Sequence, residues 1–240
     1  MKRQLLLLLT ILLISLSANA YDAYIDGIYY YLDATDKTAG VTKGDNKYEG
    51  EVVIPETITN EGIDYSVTSI GDDAFSGCSR LTSIEIPNSV TSMGNGTFSG
   101  CFGLNSVTIP NSVKYIGEYT FYGCSGLTSV TIPNSVIEIG IKAFENCSGL
   151  TSIEISNSVK RISESAFEGC SSLISVTIPN SMISIERFAF KGCSGLTSIE
   201  ISNSVESIEY GTFYNCSSLT SVTIPNSVKE IGYEAFYNCI

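Results

Sequence analysis

The side chains in this sequence whose type and spacing invite chemistry are eight cysteines and a pair of glutamates. Cys78, Cys101, Cys124, Cys147, Cys170, Cys193, Cys216 and Cys239 follow one another every 23 residues, with no gap or insertion. An even number of cysteines in an exported chain suggests a disulfide framework. A column with one cysteine per layer has parallel Cβ vectors, however, which suit the disulfide dihedral poorly. The reading favoured is a column of small, buried free thiols, with some bridges between adjacent layers as the alternative. Metal binding is disfavoured: there is no CxxC and no histidine, and ligands strung along a line cannot close a tetrahedron.

Glu154 and Glu200 occupy equivalent positions two repeats apart, which parallel strands would separate by about 9.6 Å. That is close to the separation of about 6.5–9.5 Å in an inverting glycosidase pair. Duplication explains the pair more simply, because residues 148–159 and 194–205 are identical. Nothing in the sequence marks a pocket that would exclude water or raise one carboxyl pKa, so no catalytic residue and no cofactor is assigned. A glycan hydrolase using Glu154 and Glu200 is the remote alternative.

Composition narrows the classes further. With 25 acidic and 13 basic residues the chain carries a net charge of −12, which argues against nucleic acid. The absence of histidine removes the usual general base near neutral pH. At 43% hydrophobic and 16% charged, the chain can bury a core. Met1-Lys2-Arg3, an apolar run from Leu5 to Leu16 and Ala18-Asn19-Ala20 form a cleavable secretory signal, too short for a comfortable membrane span. Its removal leaves 11 basic residues and a net charge of −14. The expected location is extracytoplasmic, with no membrane span after cleavage.

The 23-residue ruler also fixes the elements that must position these groups. Phe stands three residues before every Cys, from Phe75 to Phe236, and Leu three residues after each of the first seven, from Leu81 to Leu219. An alternating stretch such as Val130-Thr-Ile132 then predicts a strand with one buried face. Asn-Ser follows in all seven repeats, after Pro in five of them, and predicts a turn in which the Asn amide satisfies backbone groups. A second apolar pair such as Val113 and Ile116 comes next. The Ala/Thr-Phe and Gly/Asn-Cys segment then predicts a short helical turn closed by a left-handed residue. Self-similarity at this period signals a solenoid, about 34 Å long for seven layers. Residues 21–63 lie off the ruler and are expected to form a β-rich cap; Ile25-Asp26-Gly27-Ile28 reads as a hairpin.

The unit Ser-Gly-Leu-Thr-Ser-Val-Thr-Ile-Pro-Asn-Ser-Val, continued by Ile-Gly, Ala-Phe and Gly-Cys, resembles the leucine-rich repeat of the BspA-like (Treponema-type) surface proteins. The resemblance runs from about Tyr48 to the end of the chain. It implies a leucine-rich-repeat solenoid, mainly β with short helical turns and one parallel strand per repeat. It also implies a secreted or surface-attached protein, with adhesion to host matrix or neighbouring cells as the family's theme. The matching residues are scaffold positions and name no ligand. The Asn95-Gly96-Thr97 sequon is read as chance in a bacterial chain.

The domain reading is therefore a signal at 1–20, a cap at 21–63 and seven to eight repeats at 64–240. The candidate binding surface comprises the variable outward column Glu85, Thr108, Thr131, Glu154, Thr177, Glu200 and Thr223, beside an unvarying Ser column. To these are added Tyr119, Tyr210 and Tyr233 from the least regular segment, as interface residues or as cover for neighbouring layers. The expected partner is an extracellular protein or a glycan. A spacer or envelope scaffold without a ligand is the alternative, and self-association through the open C-terminal repeat is a further expectation. Fraying or truncation there is favoured over dimerisation.

Overall fold

A computed structural model describes residues 21–239, so the expected leader at 1–20 lies outside the described residues. Six strands precede the regular repeats: β1 (Ala23–Ile25), β2 (Ile28–Asp33), β3 (Thr38–Thr42), β4 (Gly50–Val53), β5 (Thr57–Asn60) and β6 (Ile63–Ile70). Asp26 and Gly27, both left-handed, join β1 to β2 with Ile25 opposite Ile28, and Glu61-Gly62 joins β5 to β6 in the same way. These two-residue loops need positive φ at both central positions, which Asp-Gly supplies readily.

The repeats then stack as a parallel continuation of two of these strands. β4 pairs in parallel with Leu81–Glu85, the first strand of the outward-facing series. That series continues through Ser106–Val107, Ser129–Thr131, Ser152–Glu154, Ser175–Thr177 and Ser198–Glu200 to Ser221–Thr223. Its register steps by one repeat per layer, with Ser129 opposite Ser152, Ser175 opposite Ser198 and Ser198 opposite Ser221. A second series of two-residue strands starts from β6, which pairs in parallel with Ser92–Met93, and runs to Glu230–Ile231. β3 lies on the other side of β6, so each series meets a strand from residues 21–70 at its leading edge.

The third side of each coil differs from expectation. The segment read as a short helical turn contains no helix; it is a run of tight turns. Alternate amides point in opposite directions. The amides of Tyr122, Cys124 and Leu127 donate to carbonyls three residues back, whereas those of Tyr119, Phe121 and Gly123 donate to Ile141, Ala143 and Glu145 of the next layer. A helix would turn every amide back along its own segment. Here half the donors are committed to the neighbouring coil, and the chain must instead visit the left-handed region twice per repeat. The residue before Cys is one such position, as expected: Gly77, Gly100, Gly123, Asn146, Gly169, Gly192, Asn215 and Asn238. The other lies five residues before Cys and holds Asp73, Gly96, Tyr119, Lys142, Ser165, Phe188, Gly211 and Glu234.

Inside the coil the phenylalanines form one stack from Phe75 to Phe236, with ring centroids 5.0 to 5.7 Å apart. Tyr48 continues the column 4.5 Å beyond Phe75 and is followed by Tyr29. The buried Tyr48 hydroxyl donates to the Thr42 carbonyl and accepts from the Tyr29 amide, so its polar end is satisfied as the stack meets the strands before it.

All eight cysteines are free. From Cys101 to Cys239 each Sγ donates to the carbonyl of the Phe in the preceding layer, at 3.0–3.2 Å. Burial holds the interior thiols far above the ordinary range and pushes Cys216 up to about 12. Thiolate is the reactive form, so these groups are chemically quiet.

Candidate binding faces

The outward strand face is built by simple alternation. In Ser129-Val130-Thr131 the Val is buried and the flanking hydroxyls are exposed, and the same exposed-buried-exposed alternation holds at residues 152–154, 175–177 and 198–200, with Glu in place of Thr at 154 and 200. Glu85, Thr108, Thr131, Glu154, Thr177, Glu200 and Thr223 are all exposed in one column. Over three adjacent layers this face deepens into a groove of about 620 Å³. Its lining includes Ser106, Thr108, Ser129, Thr131 and Glu154 from the strands and Asn111, Asn134 and Asn157 from the turns. Glu200 is two strands along the sheet from Glu154 and outside the groove. The groove therefore does not bring the two carboxylates together.

The asparagine column departs from its expected structural role. The Asn-Ser turns are closed by the backbone, with Val113, Val136 and Met182 donating to Pro110, Pro133 and Pro179. Where a side chain bridges layers it is a serine hydroxyl: Ser181 donates to Val159 and Ser204 to Asn180. The Asn111, Asn134 and Asn157 residues are exposed and free to meet a ligand. Asn111, Asn134 and Asn157 thus join the surface as residues that sequence reasoning assigned to the turn. Their recurrence was visible, but recurrence alone does not tell a turn-former from a recognition column.

Charge is distributed unevenly between the faces. Arg161 reaches both Glu138 and Glu186, and Arg187–Glu164, Lys191–Glu168 and Lys229–Glu206 pair across layers on the second strands and the turns. Among the described residues Glu85, Glu154 and Glu200 enter no ion pair. The strand face consequently presents hydroxyls, amides and uncompensated negative charge.

The tyrosines lie elsewhere. Tyr119 stands on the turn side, edge-on to Tyr122 at 5.9 Å, beside a separate hollow lined by Asp72, Asp73, Asn95, Gly96 and Lys142. Tyr210 and Tyr233 form a second aromatic group, stacked 6.2 Å apart, with Phe188 edge-on to Tyr210. Tyr210 also donates its hydroxyl to Glu234. The residues grouped as one candidate surface therefore fall on a strand face and two aromatic patches. Thr97 of the sequon is buried, with its hydroxyl donated to the Gly94 carbonyl. Among the described residues no group of three or more acidic, Cys or His side chains is placed to hold a metal ion.

Parallel strands stacked at a 23-residue period over columns of Leu, Phe and Cys define a leucine-rich-repeat solenoid. The BspA type leucine rich repeat model matches six copies over residues 55–173 and 138–240, and the chain belongs to that family. The fold is similar to that of a leucine-rich repeat protein from Bacteroides ovatus, at 26% identity over 91% of this chain and 80% of the other, with a TM-score of 0.58. It is also similar to the leucine rich repeat protein of T. pallidum, at 24% identity over 91% of both chains and a TM-score of 0.62. A leucine-rich repeat protein from Eubacterium ventriosum matches at 24% identity over 79% of this chain and 58% of the other, with a TM-score of 0.64. No curated protein matches the chain.

Proposed function

We propose that this protein is an exported, non-catalytic binding scaffold that uses its strand face to hold an extended segment of an extracellular protein. Adhesion to a host matrix protein or a neighbouring cell is the reading its family favours. The observation that carries it is the strand face itself. Seven layers repeat a serine column, and beside it four layers carry a threonine and three a carboxylate without an internal partner. Repeat proteins use such surfaces to bind extended partners, because the layer spacing offers the same donors and acceptors again at each step. The groove is open and polar, and it holds one carboxylate, Glu154, where an acid–base pair would need two held apart in defined surroundings.

The test is a binding screen of the folded chain from residue 21 onward, immobilised and probed with matrix proteins, mucins and whole cells at physiological salt. A saturable partner lost on replacing Thr131 and Glu154, with folding intact, supports the reading. Binding to none of the probes overturns it in favour of a spacer without a ligand.

A further inference from the structure

The hollow beside Tyr119 is separate from the strand groove and shares no residue with it. It arises from the left-handed position five residues before each Cys. In three successive layers that column reads Asp73, Gly96, Tyr119. The glycine leaves a missing side chain between a carboxylate and an aromatic ring, and a Cβ there would collide with Asp73.

The same column offers a comparison later in the chain, where it reads Phe188, Gly211, Glu234. There the Phe188 ring lies over the glycine, within 2.6 Å of where its Cβ would stand, and the gap is filled. At Gly96 the smaller Asp73 carboxylate takes that position, and a hollow of about 420 Å³ remains beside it, within the range of about 300–1,000 Å³ typical of small-ligand sites.

The lining suits one class of ligand. Tyr119 and Tyr122 present aromatic surface with hydroxyl handles. Asp72 Oδ1 accepts the Asn95 amide and Asn95 Oδ1 accepts the Glu118 amide, which fixes both side chains. Their second polar atoms, with the Asp73 carboxylate, are left to meet a ligand. Lys142 also lines the hollow, 5.9 Å from the Tyr119 ring centroid, but it is paired with Glu145 at 3.1 Å, so the carboxylates of Asp72 and Asp73 leave the lining net negative. Aromatic side chains beside fixed carboxylate and amide groups match a pyranose ring, whose C–H face packs on a ring while its hydroxyls donate to carboxylates. The negative charge excludes uronic and sialic acids.

We propose that this hollow is a saccharide site for a neutral or N-acetylated hexopyranose unit. The test is titration of the folded chain with N-acetylglucosamine, cello- and malto-oligosaccharides and with an oligogalacturonate, followed by calorimetry and saturation-transfer NMR. A neutral oligosaccharide should bind saturably and the uronate should not. Asp73→Phe should abolish binding, by placing a ring over Gly96 as Phe188 lies over Gly211. Tyr119→Gly, which suits the left-handed backbone, should weaken it about tenfold or more. Unchanged circular dichroism and melting would show that both variants fold. Failure of every neutral saccharide to bind overturns the proposal. So does preference for the uronate, or binding that survives in folded Asp73→Phe and Tyr119→Gly.

Discussion

The strand face and the turn face come from one 23-residue unit, yet they are different kinds of surface. On the strand face the pleat fixes which positions point outward, and each column holds one or two residue types through the chain. The product is a repetitive surface that favours a long partner read at many equivalent points. On the turn face the left-handed position accepts Asp, Gly, Tyr, Lys, Ser, Phe and Glu in different layers. Backbone geometry is held there while side chains vary, and the product is local features such as the hollow at Gly96 and the filled gap at Gly211. A regular solenoid can thus carry a general binding strip and a one-off site with little cross-talk, since a common core separates them.

The largest effect should come from breaking that core. Phe144→Ala removes an interior ring with neighbours 5.0 and 5.2 Å away and should cost about 3–5 kcal/mol in urea denaturation. Thr131→Ala on the strand face should stay within about 0.5 kcal/mol. Comparable losses from the two would show that the face is part of the fold rather than displayed upon it.

Alkali should attack the core and spare the faces. Burial raises the thiols of Cys124, Cys147, Cys170 and Cys193 above their unfolded value of 9.0, so the folded state disfavours their ionisation. Their contribution is complete below that pH and declines as the pH rises above it, because the unfolded chain then releases protons that the folded chain retains. Stability measured by urea titration should therefore fall between pH 9 and 12. A Cys170→Ala, Cys193→Ala variant should show a shallower fall, and an equal slope in both proteins would remove the thiols from the account.

A small effect is expected from the ion pairs across layers. Arg161→Ala loses contacts to Glu138 and Glu186 that are largely solvated, and should cost less than about 1 kcal/mol, shrinking further in high salt. A larger, salt-insensitive loss would mean that the paired charges hold the layers together, and the contrast with the unpaired strand face would lose its meaning.

Much of this architecture was legible because the repeat constrains it. The Phe, Leu and Cys columns, the buried alternate residues of each strand and the left-handed Gly or Asn before Cys follow from period and residue type. The helical turn did not survive, because sequence shows local propensity but not that alternate amides are claimed by the next coil. The second left-handed column was hidden for a related reason. Tyr119 and Phe188 are poor markers of positive φ, and that conformation is imposed by stacking rather than chosen locally. The split between strand groove and Tyr119 hollow required the coil's path, since a linear reading cannot say which exposed columns share a side.

The most direct test of the account sets the two faces against each other in one binding assay. A matrix protein or cell surface captured by the wild-type chain would be titrated against Thr131→Arg, Glu154→Lys and, separately, Asp73→Phe. The account predicts that the strand-face double variant loses that partner by about tenfold or more while Asp73→Phe retains it, all three proteins melting alike. Capture unaffected by the strand-face charges, or abolished by filling the hollow alone, would contradict it.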